Sequence, residues 1–204
     1  MSNWAMVIDL DRCAGCNSCS IACKFENNVP TGMIWRRTVT FKSDPSKVKA
    51  EIVPRPCMMC KNAPCEKVCP TRATHYAADG TVQIDQNKCI GCKYCIAACP
   101  YGARQMNYKT QEEKPYHNPD VARRPKGSVE KCTFCKHRIA KGEYAVKGPK
   151  TTACSQICAP GATYFGDLDD PSSAVSKAVK SARAFQLLSH LGTKPRVYYL
   201  RRVG

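Results

Sequence analysis

Sixteen cysteines divide into four groups of four along this 204-residue chain. The third group, CIGCKYCIAACP, spaces three thiols evenly and places a fourth one residue later than that spacing predicts. The first group, CAGCNSCSIAC, and the second, CMMCKNAPCEKVCP, are equally compact, whereas the fourth is split into CTFC and CSQIC by residues 136–153. Cysteines at this density indicate either a disulfide framework or bound metal.

Metal is the better interpretation of these cysteines. Disulfides need an oxidising compartment, and secreted chains normally carry an export signal. The N-terminal MSNWAMVIDLDRC has no basic segment, no apolar stretch and no small-residue cleavage site. No run approaches the roughly 18 apolar residues that span a bilayer. We therefore expect a chain that carries no export signal of its own and enters no membrane by itself.

Groups one and three are copies of each other. Arg12 precedes the first thiol of one group as Lys88 precedes that of the other, and Gly15 corresponds to Gly91. Such self-similarity indicates repeated supersecondary units.

The spacing predicts iron–sulfur clusters. C-x2-C-x2-C brings three thiolates to one side of a tight loop, whose backbone N–H groups can point at the sulfurs. Three thiolates fill three corners of a [4Fe–4S] cube, and the fourth corner needs a cysteine from elsewhere. Cys99, the displaced thiol of the third group, is therefore expected to serve a different cluster from its three neighbours. This pattern is typical of two-cluster bacterial ferredoxins, and four groups of four leave no thiol over.

The predicted fold class is α+β, with two interlocked bacterial-ferredoxin-like units, small hairpins and short helices around four [4Fe–4S] clusters. Groups two and three are close in sequence and form the inner unit, so groups one and four pair across the chain as the outer unit. The predicted domains are an outer unit of residues 1–48 and 126–170 (clusters 1 and 2), an inner unit of residues 49–106 (clusters 3 and 4), a surface insertion at 107–125, and a C-terminal helix and strand at 171–204.

Four short segments have strand-like alternation and are expected to form small hairpins. They are AMVID (5–9), KAEIVP (49–54), TVQID (81–85) and RVYYL (196–200). One helix is predicted to start at Pro171 or Ser172 and to end before Gly192. Its apolar face packs on the body of the protein and consists of Val175, Ala178, Val179 and Ala182.

The net charge of +16 suggests an anionic partner such as nucleic acid. Sixteen thiolates around four iron–sulfur cores of about +2 each would lower that charge to about +8, so the excess partly offsets cluster charge. The alternative from another class is a nucleic-acid-binding zinc-ribbon protein, because zinc also binds C-x2-C pairs. Its support is limited to three scattered basic pairs, which are Arg36–Arg37, Arg123–Arg124 and Arg201–Arg202.

Several long stretches carry a resemblance to a known family. They are VIDLDRCAGCNSCSIACKFENNVP, CMMCKNAPCEKVCPT, CIGCKYCIAACPYGAR, EKCTFCKHRIAKG, FGDLDDPSS and GTKPRVYYL. The chain resembles, over nearly its whole length, the four-cluster iron–sulfur electron-transfer (beta) subunits of the dimethyl sulfoxide, polysulfide and arsenate reductase family of molybdopterin oxidoreductases. The resemblance implies four [4Fe–4S] clusters as the cofactors and no catalytic residue in this chain.

The resemblance also implies the ligands of each cluster. Cluster 1 would take Cys13, Cys16, Cys19 and Cys158; cluster 2, Cys23, Cys132, Cys135 and Cys154; cluster 3, Cys57, Cys60, Cys65 and Cys99; and cluster 4, Cys69, Cys89, Cys92 and Cys95. Electrons would follow the order 1–2–3–4, with cluster 1 facing the molybdenum subunit.

The function implied by the resemblance is a relay of single electrons. The expected partners are a large molybdenum or tungsten bis-pterin catalytic subunit and a quinol-linked membrane subunit or cytochrome. The complex would be a respiratory reductase of the polysulfide, thiosulfate, tetrathionate or arsenate type. We expect it on the periplasmic side of the membrane, attached through its partners and exported with a signal-bearing partner. The alternative is a small subunit of a soluble cytoplasmic molybdoenzyme, such as a hydroxylase, a transhydroxylase or a formate-linked enzyme.

Overall fold

A computed structural model describes residues 2–42, 50–110 and 116–203 of the chain. Its strands are β1 (Trp4–Asp9), β2 (Arg37–Lys42), β3 (Ala50–Arg55), β4 (Thr74–Tyr76), β5 (Val82–Ile84), β6 (Gln105–Met106), β7 (Val129–Glu130), β8 (Thr163–Asp167), β9 (Ala184–Phe185) and β10 (Val197–Leu200). Its α-helices are α1 (Ser18–Glu26), α2 (Pro64–Lys67), α3 (Tyr94–Ala97), α4 (Lys136–Ala140), α5 (Glu143–Lys147), α6 (Ala153–Gln156) and α7 (Ala174–Val179), with 3-10 turns at Gly148–Lys150 and Ser189–Leu191.

The largest sheet joins the two ends of the chain in the order β8-β1-β10-β9. β1 is antiparallel to β8 but parallel to β10, with Met6 opposite Val197. All six residues of β1 are buried, as expected for a central strand with both faces covered. The prediction that the segments at 5–9 and 196–200 form small hairpins was therefore wrong, because these strands are neighbours from opposite ends of the sequence.

The remaining strands form two-stranded antiparallel sheets, which are β2-β3, β4-β5 and β6-β7. For the segments predicted at 49–54 and 81–85, the hairpin interpretation is confirmed by β3 and β5, each of which pairs with the preceding strand. Position 49 lies outside the described residues. β6 pairs with β7, with Met106 opposite Val129. The two ends of the connection between these strands therefore lie side by side.

The described part of this connection, residues 107–110 and 116–128, packs against the body more closely than its polar composition indicates. Asn118 and Val121 are buried. The backbone N–H of Asn118 donates to Oδ1 of Asn28 at 2.9 Å, and Nδ2 of Asn28 donates to the carbonyl of Val121. These side-chain bonds to the backbone hold part of this long connection against the segment that follows α1.

The C-terminal helix is shorter than predicted. Ser173 caps α7 by accepting a hydrogen bond from the Ser176 N–H at 3.0 Å, and the helix ends at Val179 instead of continuing to Gly192. The chain then turns so that β9 pairs with β10. Packing of the apolar face on the body is confirmed for Val175, which is fully buried among residues of β1 and β10, whereas Ala182 is exposed.

The core is built largely around cysteines. Its aromatic part stacks Trp4 on Phe165 at a centroid distance of 5.3 Å, and Phe134 packs edge-on against the same ring. The same buried cluster also contains Cys23, Cys57, Cys60, Cys65, Cys95, Cys132 and Cys154. Bound metal at these thiols would contribute stability that a conventional apolar core supplies elsewhere. In the part of the chain that the structure describes, no helix has the length and apolar character needed to cross a membrane.

Candidate metal centres

The loops of groups one and three have the same backbone conformation. Gly15 and Gly91 both have φ of +68°, and the residues before the following helices, Asn17 and Lys93, are also left-handed. These turns bring the first two thiols of each group beside the first turn of the following helix, which carries the third thiol, Cys19 in α1 and Cys95 in α3. The repeat that the sequence indicated is thus repeated in the backbone.

The first set of thiols, quartet 1, consists of Cys13, Cys16, Cys19 and Cys158. Burial raises the pKa of Cys13, and the neighbouring thiols of Cys19 and Cys158 raise it further. Cys16 lies on the same loop and is exposed, with its sulfur 3.4 Å from the hydroxyl of Ser18.

Quartet 2 consists of Cys23, Cys132, Cys135 and Cys154, all of which are buried. α1 packs against α6, so Cys23 and Cys154 meet although the sequence separates them widely. Burial raises the pKa of Cys23 well above its usual value, and the other three thiols raise it further.

Quartet 3 consists of Cys57, Cys60, Cys65 and Cys99. Burial, followed by the charge of Cys57, raises the pKa of Cys60 to about 12, and the pKa is also raised by Cys65 and Cys99. The displaced thiol of the third group therefore lies with the second group.

Quartet 4 consists of Cys69, Cys89, Cys92 and Cys95. Burial raises the pKa of Cys95, and Cys89 and Cys69 also raise it, against the opposing effect of the Arg104 guanidinium. Cys92 is exposed on the same loop, as Cys16 is in quartet 1. The structure thus brings together the thiols that the resemblance groups, with Cys16 and Cys92 located by their loops. Their ligation remains a prediction.

The four quartets do not fit single metal ions. Within residues 2–42, 50–110 and 116–203, no three thiol, imidazole or carboxylate groups converge as ligands of one ion. A zinc–thiolate site needs sulfurs about 2.3 Å from a common ion. Thiols that adjoin one another without converging on one ion position fit the corners of a cubane cluster instead.

Comparisons with known proteins agree with this arrangement. Two domain families, each described as a 4Fe-4S dicluster domain, match residues 48–115 and 88–162. The chain is 43% identical to a subunit of the selenate reductase of Mesobacillus selenatarsenatis, over 97% of this chain and 71% of the relative. It is 41% identical to the iron–sulfur cluster-binding subunit of menaquinone reductase from Nitratidesulfovibrio vulgaris, over 98% and 89%. It is 38% identical to the arsenate respiratory reductase iron–sulfur subunit of a Shewanella species, over 98% and 96%.

The chain belongs to the dimethyl sulfoxide, polysulfide and arsenate reductase family of iron–sulfur subunits. It is therefore an electron-transfer protein with four [4Fe–4S] clusters as its cofactors. The zinc-ribbon alternative is excluded by this relationship. The family assignment also confirms that the chain contains ferredoxin-like dicluster domains of mixed helices and strands.

Backbone donors of this iron–sulfur subunit point at several of the sulfurs from outside the C-x2-C-x2-C loops. The N–H groups of Ala162 and Thr74 donate to the sulfurs of Cys158 and Cys69 at 3.2 and 3.3 Å. Corresponding contacts of 3.5 Å reach Cys89 from Val129 and Cys132 from Phe134. Such donors stabilise the negative charge of a thiolate that binds iron.

The raised pKa values of several buried thiols fit the same group. Burial, followed by the charges of Cys57 and Cys154, raises the pKa of the Cys132 thiol to about 12 in the protein alone. A coordinating cation deprotonates a thiol outright. These pockets are therefore suited to thiols that become charged only when iron binds.

Sequence reasoning missed three buried cations among the quartets, namely Arg36, Arg104 and Lys131. Arg36 belongs to one of the scattered basic pairs of the sequence, yet its side chain is only 1% exposed. A signal existed for Lys131, which directly precedes the first thiol of its group, as Arg12 and Lys88 do. Lys93, within a cysteine loop, lies over the ring of Tyr108 at 5.2 Å.

Proposed function

We propose that this iron–sulfur subunit relays single electrons between a large molybdenum or tungsten bis-pterin catalytic subunit and a quinol-linked membrane subunit or cytochrome. The observation that carries the proposal is the order in which the quartets adjoin one another. Arg36 adjoins Cys19 of quartet 1 and Cys154 of quartet 2. Cys57 of quartet 3 acts electrostatically on Cys132 of quartet 2. Arg104 adjoins thiols of quartets 3 and 4.

Exposure distinguishes the ends of this series from its middle. All four thiols of quartet 2 are buried, and so are three of quartet 3, whereas Cys16 of quartet 1 and Cys92 of quartet 4 are exposed. An electron relay needs interior clusters that are shielded from solvent and terminal clusters that partner proteins can approach. When bound, a [4Fe–4S] cluster accepts or donates one electron at a time. The surrounding side chains, including buried Met58, Met59 and Phe134, exclude water from the interior quartets.

Both accessible ends carry exposed apolar side chains. Beside Cys92, Ile90 is 67% exposed and Tyr94 is 64% exposed. Near the other end, Ile157 precedes Cys158 directly and is 49% exposed. Apolar side chains around an exposed cofactor edge are characteristic of surfaces that bind partner proteins. This supports one partner at each end of the relay.

The relatives suggest the class of reaction. Their names refer to selenate, arsenate, tetrathionate and polysulfide, and one name refers to menaquinone. We assign this chain to a respiratory reductase of oxyanions or sulfur compounds, with the complex attached to the membrane through its partners. The periplasmic side is the compartment that we propose. The two interlocked ferredoxin-like units and the cysteine-by-cysteine ligands given above are part of the same proposal.

Purification of the native complex under anaerobic conditions tests this function. We expect a large subunit containing molybdenum or tungsten, about sixteen irons in this chain, and reoxidation of the reduced clusters on addition of an oxyanion or polysulfide.

Ile90→Asp should slow electron exchange at one end without loss of iron, because a charge replaces an exposed apolar contact. Val146→Asp, on α5 and 87% exposed, is the control. Equal rates in both variants, or a complex without either metal, would contradict the proposal.

A further inference from the structure

Arg36 is a buried cation between quartets 1 and 2. Its Nη1 lies 3.6 Å from the sulfur of Cys154, and its side chain also hydrogen-bonds Cys19. Nη2 donates to the hydroxyl of Thr163 at 2.7 Å, which fixes the orientation of the guanidinium. Thus one arginine contacts a thiol from each of two successive quartets.

Arg104 occupies the corresponding position between quartets 3 and 4. Its Nη2 donates to the sulfur of Cys65 at 3.1 Å, and its side chain also hydrogen-bonds Cys95. Nη1 donates to the hydroxyl of Thr74 at 2.9 Å. Arg104 is 4% exposed. A threonine thus orients this arginine too.

Each arginine retains a donor that no protein group uses. Nε of Arg36 and Nε of Arg104 are buried, and neither has a hydrogen-bond partner among the residues that the structure describes. An unsatisfied buried donor is costly. The sulfides and thiolates of the clusters that the proposed function introduces would supply acceptors beside both arginines.

We propose that Arg36 and Arg104 are positioning residues of the electron relay, each of which supplies a fixed positive charge shared by two successive clusters. This inference rests on the proposed function. When an electron passes along a pair, one cluster is oxidised and the next is reduced, and the total charge of the pair is unchanged. A cation between them stabilises the added electron on either cluster and so raises the reduction potentials of both. Since a guanidinium stays protonated, the electron needs no accompanying proton.

Lys131 lies between quartets 2 and 3 and is 1% exposed. Its Nζ donates to the carbonyls of Val82 and Cys132. Unlike the charge of a buried lysine, the charge of the two arginines does not depend on pH.

The test compares charge-removing and charge-conserving variants of the full chain. Arg104→Gln and Arg104→Lys are loaded anaerobically with iron, and each cluster is titrated by EPR-monitored reduction. Arg104→Gln should reduce the equilibrium constant for reduction of clusters 3 and 4 at least tenfold, or about 59 mV for a one-electron couple, and leave clusters 1 and 2 unchanged. Arg104→Lys should keep most of the native potential. Arg36→Gln should shift clusters 1 and 2 instead.

Lys93→Gln is the control for charge alone, because it removes a cation from an exposed position in a cysteine loop. The inference fails if Arg104→Gln holds its full iron and shifts no potential further than Lys93→Gln does. If Arg104→Gln loses iron, Arg104→Lys decides: full iron with native potentials supports a charge role, and loss of iron in that variant overturns it. A wild-type chain with fewer than four clusters would instead refute the proposed function.

Discussion

At the scale of single residues, the polar groups beside the quartets are held by bonds that cross the sequence. Glu26, at the end of α1, accepts hydrogen bonds at 2.5 Å from Nε and Nη2 of Arg138 and lies 2.6 Å from Nε2 of His137. Despite partial burial, these two side chains lower the pKa of Glu26 to about 2. The contacts of Glu26 with these two side chains hold α1 against α4. They thereby join two of the segments that supply the thiols of quartet 2. His137 is thus a hydrogen-bonding residue.

Glu26→Gln should destabilise the protein in a pH-dependent way. The pKa of Glu26 is about 2 when folded against an ordinary value of 4.5, so its stabilising charge is fully present above pH 4.5 and is lost as the pH falls toward 2. With allowance for solvent screening, the variant should lose about 1–2 kcal/mol at pH 7 and about a quarter less than that at pH 4, where the folded carboxyl is still ionised. Urea denaturation of the iron-loaded protein at both pH values measures the difference. Glu143→Gln, which removes the partner of exposed Lys147, should have little effect at either pH. A penalty that does not change with pH would contradict this assignment.

Residue burial was the least predictable property. The thiols could be grouped from spacing because the bond geometry of a cubane cluster limits which loops can hold it. Arg36 and Arg104 could not be recognised as buried, since a basic residue is normally exposed and only a tertiary counter-charge reverses that preference. The partner charges come from cysteines distant in the sequence, such as Cys65 for Arg104.

At the scale of elements, the cysteine loops were predictable and the pairing of strands was not. Copies of one loop motif produced the same left-handed turns at Gly15 and Gly91. The segments at β1 and β10 look like isolated hairpin strands because parallel pairing between chain ends leaves no turn signal in the sequence. Likewise the periodic pattern after Pro171 continues beyond Val179, but pairing of β9 with β10 ends α7 there.

The two loop copies differ in what surrounds their glycine, which gives a matched pair of variants. A Cβ at Gly91 would lie 2.3 Å from the carbonyl oxygen of Gly127, whereas a Cβ at Gly15 would meet the end of the Ile52 side chain at 2.7 Å. Both variants place an alanine in the left-handed region, which costs about 1–2 kcal/mol of stability. Gly91→Ala must also displace backbone, so it should unfold at a clearly lower temperature than Gly15→Ala and lose iron from quartet 4. Equal melting temperatures of the two variants would show that the contact with Gly127 does not destabilise Gly91→Ala.

At the scale of the whole molecule, the thiol quartets connect segments that the sequence separates. Quartets 1 and 2 each combine thiols from the first and fourth groups, and quartets 3 and 4 each combine thiols from the second and third. The buried interior is correspondingly rich in sulfur, and the exposed thiols lie at the two ends of the series. Folding and cluster binding should therefore be coupled, because each cluster stabilises contacts between segments that few apolar side chains hold together.

The exchange of ligands between neighbouring groups can be tested by counting iron in double variants. Cys99 is in the third group by sequence but adjoins Cys57 and Cys60 in space. If Cys99 and Cys57 bind the same cluster, Cys57→Ala with Cys99→Ala should lose no more iron than the worse single variant, about four irons of sixteen. Cys92→Ala with Cys99→Ala should lose the sum of the two single losses, about eight irons, because two clusters are then damaged. The reverse result, with additive loss for Cys57 and Cys99 and shared loss for Cys92 and Cys99, would mean that each group holds its own cluster. The series of interlocked quartets would then be wrong, whereas cluster binding itself would stand.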